Sequence, residues 1–437
     1  MLEVHRTHRA KIRNHSQVAE SLDRHGWSAS KLWNVANYHS REVWEDTGGI
    51  PDHEELKDEL KTHPKYKGLH SQSSQRVLEE LAEAFNSWYS SDDDKDNPPG
   101  YRKENYYDDQ GRRVHEEHPR STVTWKQNGI RHDTKNNRVR LSKGANHKGH
   151  PRAWEYILVE YETRPGVTVE NLQQVRAVYD QQNERWELHL VCKDEIETPT
   201  APGNETAGID LGISNFAAVA YSTEEADLYP GNRLKQDGYY FPKEIANCDD
   251  SGGERATRLH AKWSERRTHF FHSLAKYIVE RCIEKGVGRI NVGDLEGVRE
   301  DEAGESKNWG KHGNLDLHGW AFDRFTAILE YKAKVEGIEV VEVSERDTSK
   351  TCCGCGREDE SQRVERGLYV CESCDAAFNA DVNGAENIRL DVNESNSESA
   401  SGLGGDRSTG WLAQPGVYLY DLSSGFQPQA QVGDCKP

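Results

Sequence analysis

Four cysteines in two short pairs carry the most specific chemistry in the chain. Cys352 and Cys355 with Cys371 and Cys374 give C-x2-C-x15-C-x2-C, a spacing that reads as a structural zinc site. Each C-x2-C turn presents two thiolates to one side of a knuckle. Four soft anionic sulfurs then complete a tetrahedron about 2.3 Å from a Zn²⁺ ion. Four thiolates leave no open coordination position, so the zinc is structural rather than catalytic. Cys353 is a bystander, because using it would break the spacing. The bland alternative is a set of reduced, buried cysteines, and the paired spacing argues against it.

Carboxylates form the second group. Asp210 lies in an otherwise apolar strand, Ile209-Asp210-Leu211-Gly212, where an acid costs free energy unless it is paired or bound to metal. Asp381 follows the cysteine module in Asn379-Ala380-Asp381-Val382-Asn383. Each alone reads as an ordinary turn acid or cap; together, in an α/β region, they point to a divalent-metal site. Two-metal hydrolysis of a phosphodiester needs bridging carboxylates that hold ions about 4 Å apart. The third group is basic. Lys126, Arg131, Lys135, Arg138, Arg140, Lys143, Lys148 and Arg152 share their stretch with one acid, Asp133. A solvated loop is the bland reading of such a run.

The elements that must position these groups fall into two halves. Residues 28–47 predict a helix, with Leu32, Val35, Ala36, His39 and Val43 at helical spacing and Gly48 as the stop. A second helix is expected from Ser73 to Tyr89, and 91–100 reads as a linker. Short strands follow at 121–125, 137–141, 156–161, 175–179 and 186–191. The first half is thus a helical piece joined to a small antiparallel sheet or barrel. After a linker at 197–206, residues 207–220 read as two strands around a tight turn at Gly212–Asn215. A long helix over 254–284 carries Arg255, Arg258, Lys262, Arg266 and Arg267. Strand 289–295, helix 315–337 and strand 338–345 complete a strand–helix–strand unit, which implies a parallel pair. From about residue 392 the chain is polar and expected to be disordered, although GVYLYDL (416–422) has a strand-like pattern.

Length and charge bound the rest. A chain of 437 residues predicts two or three domains. No run approaches ~20 apolar residues, and MLEVHRTHRAKIR has no secretory apolar core, so a soluble cytoplasmic protein is expected. Scattered cysteines suit a reducing compartment. The net charge of −19, with a pI near 5.5, opposes nucleic-acid binding taken alone. A surface so rich in acid suits a salt-loving organism, where molar salt shrinks the Debye length to ~3 Å.

Longer stretches carry a family resemblance. WAFDRFTAILEYKAKVEGIEVVEVSERDTSKTCCGCG (320–356), YVCESC with NADVNGAENI (369–388), and GIDLGISNFAAVA (208–220) resemble the TnpB family, relatives of type V CRISPR effectors. Residues 73–89 match its recognition region more weakly. The resemblance implies an RNase H-like RuvC core with an inserted zinc ribbon, preceded by a helical and β-barrel recognition region. It also implies a guide RNA from the transposon end, a double-stranded DNA target and Mg²⁺-dependent cleavage. The implied boundaries are 1–195 for recognition, 206–346 for the nuclease core, 347–378 for the zinc module, 379–392 for the last core segment and 393–437 for the tail. The basic stretch (Arg138, Arg140 and Lys143) and the helix (Arg255, Arg258, Lys262 and Arg266) would then grip nucleic acid by backbone charge and shape.

One departure bears on catalysis. The family's second motif has Glu before Asp-Leu on the central strand; here that position is Gly293, in Val292-Gly293-Asp294-Leu295. Asp294 could turn inward, the site could be dead, or another acid could fill the gap. The reading taken here is Glu345, at the end of the neighbouring strand, completing a set with Asp210 and Asp381; Asp294 is the alternative. The expected function is an RNA-guided DNA endonuclease, and the rival is a nuclease-inactive guided binder acting as regulator or transposase accessory.

Overall fold

A computed structural model describes residues 2–90, 97–107, 110, 113–117, 119–148, 155–181, 183–197, 199–250, 253–294, 322–365, 367–390 and 410–429. Arg152, Leu295, the first turns of the 315–337 helix, part of the 91–100 linker and most of the expected tail lie outside these residues. The chain divides into two units, Met1–Glu197 and Thr198–Pro437.

In the first unit, helix α1 (His15–Thr47) begins earlier than expected and stops at Gly48, whose φ of +74° is the left-handed conformation that ends helices. Its buried stripe of Val18, Leu22, Ala29, Leu32 and Ala36 shares one core with Val77, Leu78, Leu81 and Phe85 of α3 (Ser71–Tyr89). Between them α2 (His53–Leu60) opens on a capping box. Asp52 accepts from the Glu54 and Glu55 N–H groups, and the Asp52 N–H donates back to Glu55.

The strands of this unit are β1 (Leu2–Ile12), β2 (Glu104–Tyr107), β3 (Arg113–Glu117), β4 (Val123–Lys126), β5 (Ile130–Asp133), β6 (Arg138–Ser142), β7 (Tyr156–Glu162), β8 (Leu172–Asp180) and β9 (Arg185–Ile196). Apart from the β2–β3 hairpin they form one sheet in the order β4-β8-β9-β1-β7-β6-β5. Its two edges, β4 and β5, are consecutive in the chain, separated by the three-residue turn Gln127–Gly129. A flat seven-stranded sheet would hold its edges about 29 Å apart. Three residues reach only about 11 Å, so the sheet curls back toward its own edge.

In the second unit, β10 (Glu205–Leu211), β11 (Asn215–Tyr221) and β12 (Glu225–Pro230) form an antiparallel meander. After α4 (Asn232–Ala246) and α5 (Glu254–Glu284), β13 (Val287–Asp294) joins parallel to β10. After α6 (Phe322–Val335), β14 (Glu339–Ser344) joins parallel to β13. Strand alternation divides the faces. Ala207, Ile209, Leu211, Ile290 and Val292 share a core with Phe270, Phe271, Leu274 and Ile278 of α5 and with Phe325 and Leu329 of α6. Gly208, Asp210, Asn291 and Gly293 take the other face. There a short sheet in the cysteine module, β15 (Arg363–Glu365), β16 (Leu368–Cys371) and β17 (Ala376–Asn379), leads into α7 (Ala380–Leu390). Helix α7 crosses the strands closely: a Cβ on Gly208 would come within 2.6 Å of the Arg389 Cβ.

The disordered-tail expectation for 393–437 is corrected over residues 410–429. Strand β18 (Gly416–Asp421) pairs in parallel with β12, and β19 (Gly425–Pro428) pairs with β18, extending the sheet to β14-β13-β10-β11-β12-β18-β19. The cause is a few rings that average composition hides. Tyr418 stacks on Tyr229, Tyr420 meets Phe270 edge-on, and Phe426 and Leu412 are buried. Under the docked strand, buried Asp227 accepts from Arg281 Nε and the Tyr221 hydroxyl, both at 3.0 Å. Among the described residues no helix is long and apolar enough to cross a membrane.

Candidate functional site

The sulfurs of Cys352, Cys355, Cys371 and Cys374 lie within 4.8 Å of one another, the one metal-ligand cluster of three or more His, Cys, Asp or Glu among the described residues. The Cys352–Cys374 and Cys355–Cys371 sulfur pairs are each 3.6 Å apart. A tetrahedron with metal–sulfur bonds of about 2.3 Å has edges near 3.8 Å, so the quartet fits zinc. Gly356 closes the first knuckle: its N–H donates to the Cys352 carbonyl at 2.8 Å. Its φ of +71° suits a residue without a Cβ. Cys353 is buried outside the quartet, and its N–H donates to Asn383 Oδ1 at 3.0 Å. Asn383 and Asn387, both buried in α7, donate through Nδ2 to the Thr351 carbonyl at 2.8 and 2.7 Å. These bonds fix the zinc module to the helix that carries Asp381.

Asp210 sits on β10 under Gly384 of α7, where a Cβ would lie 2.7 Å from Asp210 Oδ2. The missing side chain lets α7 close over the acid. Asp381, in the first turn of α7, accepts from Asn215 Nδ2 at 2.8 Å and from Arg363 Nη2 at 3.3 Å. Glu345 follows β14 by one residue. Gly293 pairs with Val343 in register, so Glu345, two residues on, falls on the same face. A Cβ added at Gly293 would lie 2.7 Å from the Glu345 carboxyl carbon. The glutamate therefore fills the space that the glycine leaves.

The three acids share one electrostatic environment. Burial, then the nearby Asp381, push Asp210 up to about 7, with Arg363 opposing. Burial, then Asp210 and Asp294, push Glu345 up to about 9. Asp381 is raised by burial, against the Asn215 bond and Arg363. Asp210 is thus the hub, flanked by Asp381 and Glu345. The three acids do not all lie within 4.8 Å of one another; they form a row with Asp210 in the middle. Glu345 Oε1 is buried with no hydrogen-bond partner among the described residues. Sequence reasoning missed Arg363 and Asn215. Asn215 could have been suspected as the residue that closes the tight turn after β10; Arg363 sits in a charged stretch with no distinguishing signal.

The basic residues separate by partner. On the first unit Arg138 pairs with Glu160 at 2.7 Å, Arg140 lies over the Tyr156 ring, and Lys143 is half-buried, with burial and Arg24 lowering its pKa. On α5, Arg255 pairs with Glu244 and Arg258 with Glu254, whereas Lys262 has no ion pair among the described residues. Arg266 does not project as a phosphate ligand. Its Nε and Nη2 donate to the two oxygens of buried Asp237, both at 2.7 Å, so the expectation for it is corrected: this guanidinium joins α5 to α4.

Comparison with known proteins agrees with this architecture. A family model described as "Probable transposase" matches residues 180–299, and one described as "Cas12f1-like, TNB domain" matches 322–388. The CRISPR-associated endodeoxyribonuclease Cas12f1 of Sulfoacidibacillus thermotolerans is 25% identical over 229 residues, 49% of this chain and 52% of the relative. The TnpB-like protein ORF457 of Acidianus two-tailed virus is 25% identical over 406 residues, 82% of this chain and 80% of the relative. A TnpB-like protein of Methanocaldococcus jannaschii is 31% identical over 166 residues, 37% of this chain and 56% of the relative. The chain thus spans about half the length of two of these three relatives. Its mixed α/β fold is shared with a Cas12f1 solved with sgRNA and target DNA. That match has a TM-score of 0.54 and 15% identity, and covers 85% of this chain and 82% of that one. Two family models match successive parts of the second half and a viral relative aligns along most of the length, so the chain is similar to TnpB-like proteins over much of its sequence.

Proposed function

We propose that the chain is an RNA-guided, metal-dependent DNA endonuclease of a transposable element, pairing a guide RNA from the transposon end with a double-stranded DNA target. The relatives support the activity, since Cas12f1 is an endodeoxyribonuclease and its solved complex holds sgRNA and target DNA. An antiparallel meander followed by two parallel strands supports an RNase H-like core, and the curled first sheet supports a wedge-type barrel. The observation that carries the catalytic assignment is Glu345 lying in the space over Gly293, beside Asp210.

Asp210, Glu345 and Asp381 would hold Mg²⁺ or Mn²⁺. The fit rests on the unpartnered Glu345 oxygen and on three acids whose pKa values are all raised, as expected where negative charge lacks a cation. When bound, divalent ions would activate a water and stabilise the leaving oxygen of the phosphodiester. The protein's own part is positional. Asn215 orients Asp381, and Arg363 balances its charge. Gly384 admits Asp210 under α7, and the zinc module, through Asn383 and Asn387, fixes the helix that bears Asp381. Arg138, Arg140 and Lys143, with Arg255, Arg258 and Lys262, supply charge for phosphate contacts, and base pairing to the guide reads sequence.

The test is nicking of guide-matched DNA by protein carrying its copurified RNA. Cleavage that requires Mg²⁺ or Mn²⁺, and that Glu345→Gln abolishes while guided binding persists, is the expected result. Gly293 and the open row of acids favour a second reading, a guided binder without cleavage. That reading takes over if the wild-type protein binds matched DNA and leaves it uncut with either ion.

A further inference from the structure

Helix α4 leaves the sheet at the acid-bearing end. It starts at Asn232, just after Pro230, and Pro230 pairs in register with Asn215, the residue that donates to Asp381. Its inner side is committed to α5: Leu234 and Phe241 are buried, Phe241 stacks on Trp263, and Asp237 holds Arg266. The helix has two acids, Asp237 and Glu244. Both are matched by arginines of α5, Arg266 and Arg255. The outer side carries, beside half-exposed Tyr240, a row at i, i+4 and i+8: partly exposed Lys235, then exposed Tyr239 and Lys243. Such positions lie one above another on a helix.

Tyr239 is 70% exposed, and the Lys243 ammonium lies 5.9 Å from its ring centre. Neither lysine has a carboxylate partner among the described residues. In a chain of net charge −19, an exposed ring between two free ammonium groups, with its helix's own acids turned away, is a local exception. Its chemistry matches an unpaired nucleic-acid strand, whose bases stack on aromatic rings while its phosphates meet lysines. We propose that the Lys235–Tyr239–Lys243 face of α4 is a platform for unpaired DNA, with a base on Tyr239 and flanking phosphates on the lysines, leading a single strand to the acid row. This rests on the endonuclease reading and adds a binding surface to it.

The test uses the full chain with its copurified RNA and a fluorescent oligothymidine, measured by anisotropy. Tyr239→Ala is expected to weaken binding about tenfold, the scale of one lost stacking contact. Tyr239→Trp should keep near wild-type affinity, because stacking needs a ring and not a hydroxyl. Lys235→Ala with Lys243→Ala should flatten the dependence of log K on log salt by about 1.4, about 0.7 per lost single-strand phosphate contact. Guided binding to matched duplex is followed in parallel. Oligothymidine affinity unchanged in Tyr239→Ala, or weakened equally in Tyr239→Trp, overturns the platform. So does dependence on Tyr239 for an oligouridine but not for oligothymidine, which would make the occupant RNA. Loss of the platform effect with guided cutting intact leaves the endonuclease reading standing; a wild-type protein that binds no matched duplex overturns both.

Discussion

Gly293 and Glu345 are complementary in space: one lacks a side chain where the other puts its carboxyl. A methyl group at 293 would therefore displace the acid. Gly293→Ala is expected to cut nicking at least about tenfold, the scale on which misplaced catalytic groups act, with zinc content unchanged. A sharper version moves the acid back. Glu345→Ala should abolish nicking, and adding Gly293→Glu should recover part of it; no recovery in a folded double variant would count against one shared space. The zinc quartet makes an independent prediction. Purified protein should carry about one zinc per chain. Cys371→Ser should lose it and fold poorly, because the binding energy of such a module is folding energy. Cys353→Ser should keep it, since Cys353 lies outside the quartet; zinc assay with thermal unfolding decides. These residues were legible because spacing and strand context are local. Arg363 was not, since its contact with Asp381 depends on how the zinc module folds back.

Elements were legible where an apolar period was long, as in α3 and α5, and less so elsewhere. Strand β1 was missed because its burial alternates weakly; ten paired residues along β9 hold it in mid-sheet. Helix α2 was missed although its Asp52-x-x-Glu55 box was readable. The face of a basic residue was not legible from its helix alone. Arg266→Ala would leave buried Asp237 with only the longer 3.9 Å contact to Arg233 and should cost about 3 kcal/mol of stability. Lys262→Ala should cost almost nothing, and denaturant titration separates the two. Helix α1 adds a pH effect. His25 is 1% exposed, and burial, aided by His147, Lys143 and Arg24, outweighs its bond to the Ser21 carbonyl and lowers its pKa from 6.5 to about 4. Its contribution is complete above about pH 6.5 and is lost as the pH falls toward 4, because the unfolded imidazole takes the proton first. His25→Leu should flatten the loss of stability across that window; an unchanged slope would assign the acid sensitivity elsewhere.

At the scale of the whole molecule, two units with separate cores predict two unfolding steps. Ending the chain at residue 390 should lower one step and leave the other. The shortened chain loses β18 and β19, strips Tyr229 of its stacked ring and uncovers the Asp227–Arg281 pair. A single transition that shifts as one would show that the units melt together. In the tail the strand-like pattern at 416–422 was legible and forms β18, whereas the rest reads as polar on average and its docking rests on a few rings such as Tyr418, Tyr420 and Phe426. The net acidity was legible from composition, but the basic face of α4 required knowing which acids are already matched.

The pairing of β18 with β12 also sets a schedule for synthesis. Asp227 and Gly416 are partners about 190 residues apart, so the partner of β12 emerges from the ribosome about 10–40 s after β12 itself. During that interval β12 is an open edge, the kind of strand that recruits foreign strands. Its own residues suit the wait: Glu225 opens it, Asp227 places a charge within it, and Pro230 ends it without an N–H to offer. The same acid that anchors Arg281 in the finished protein would keep the nascent strand from pairing with the wrong chain.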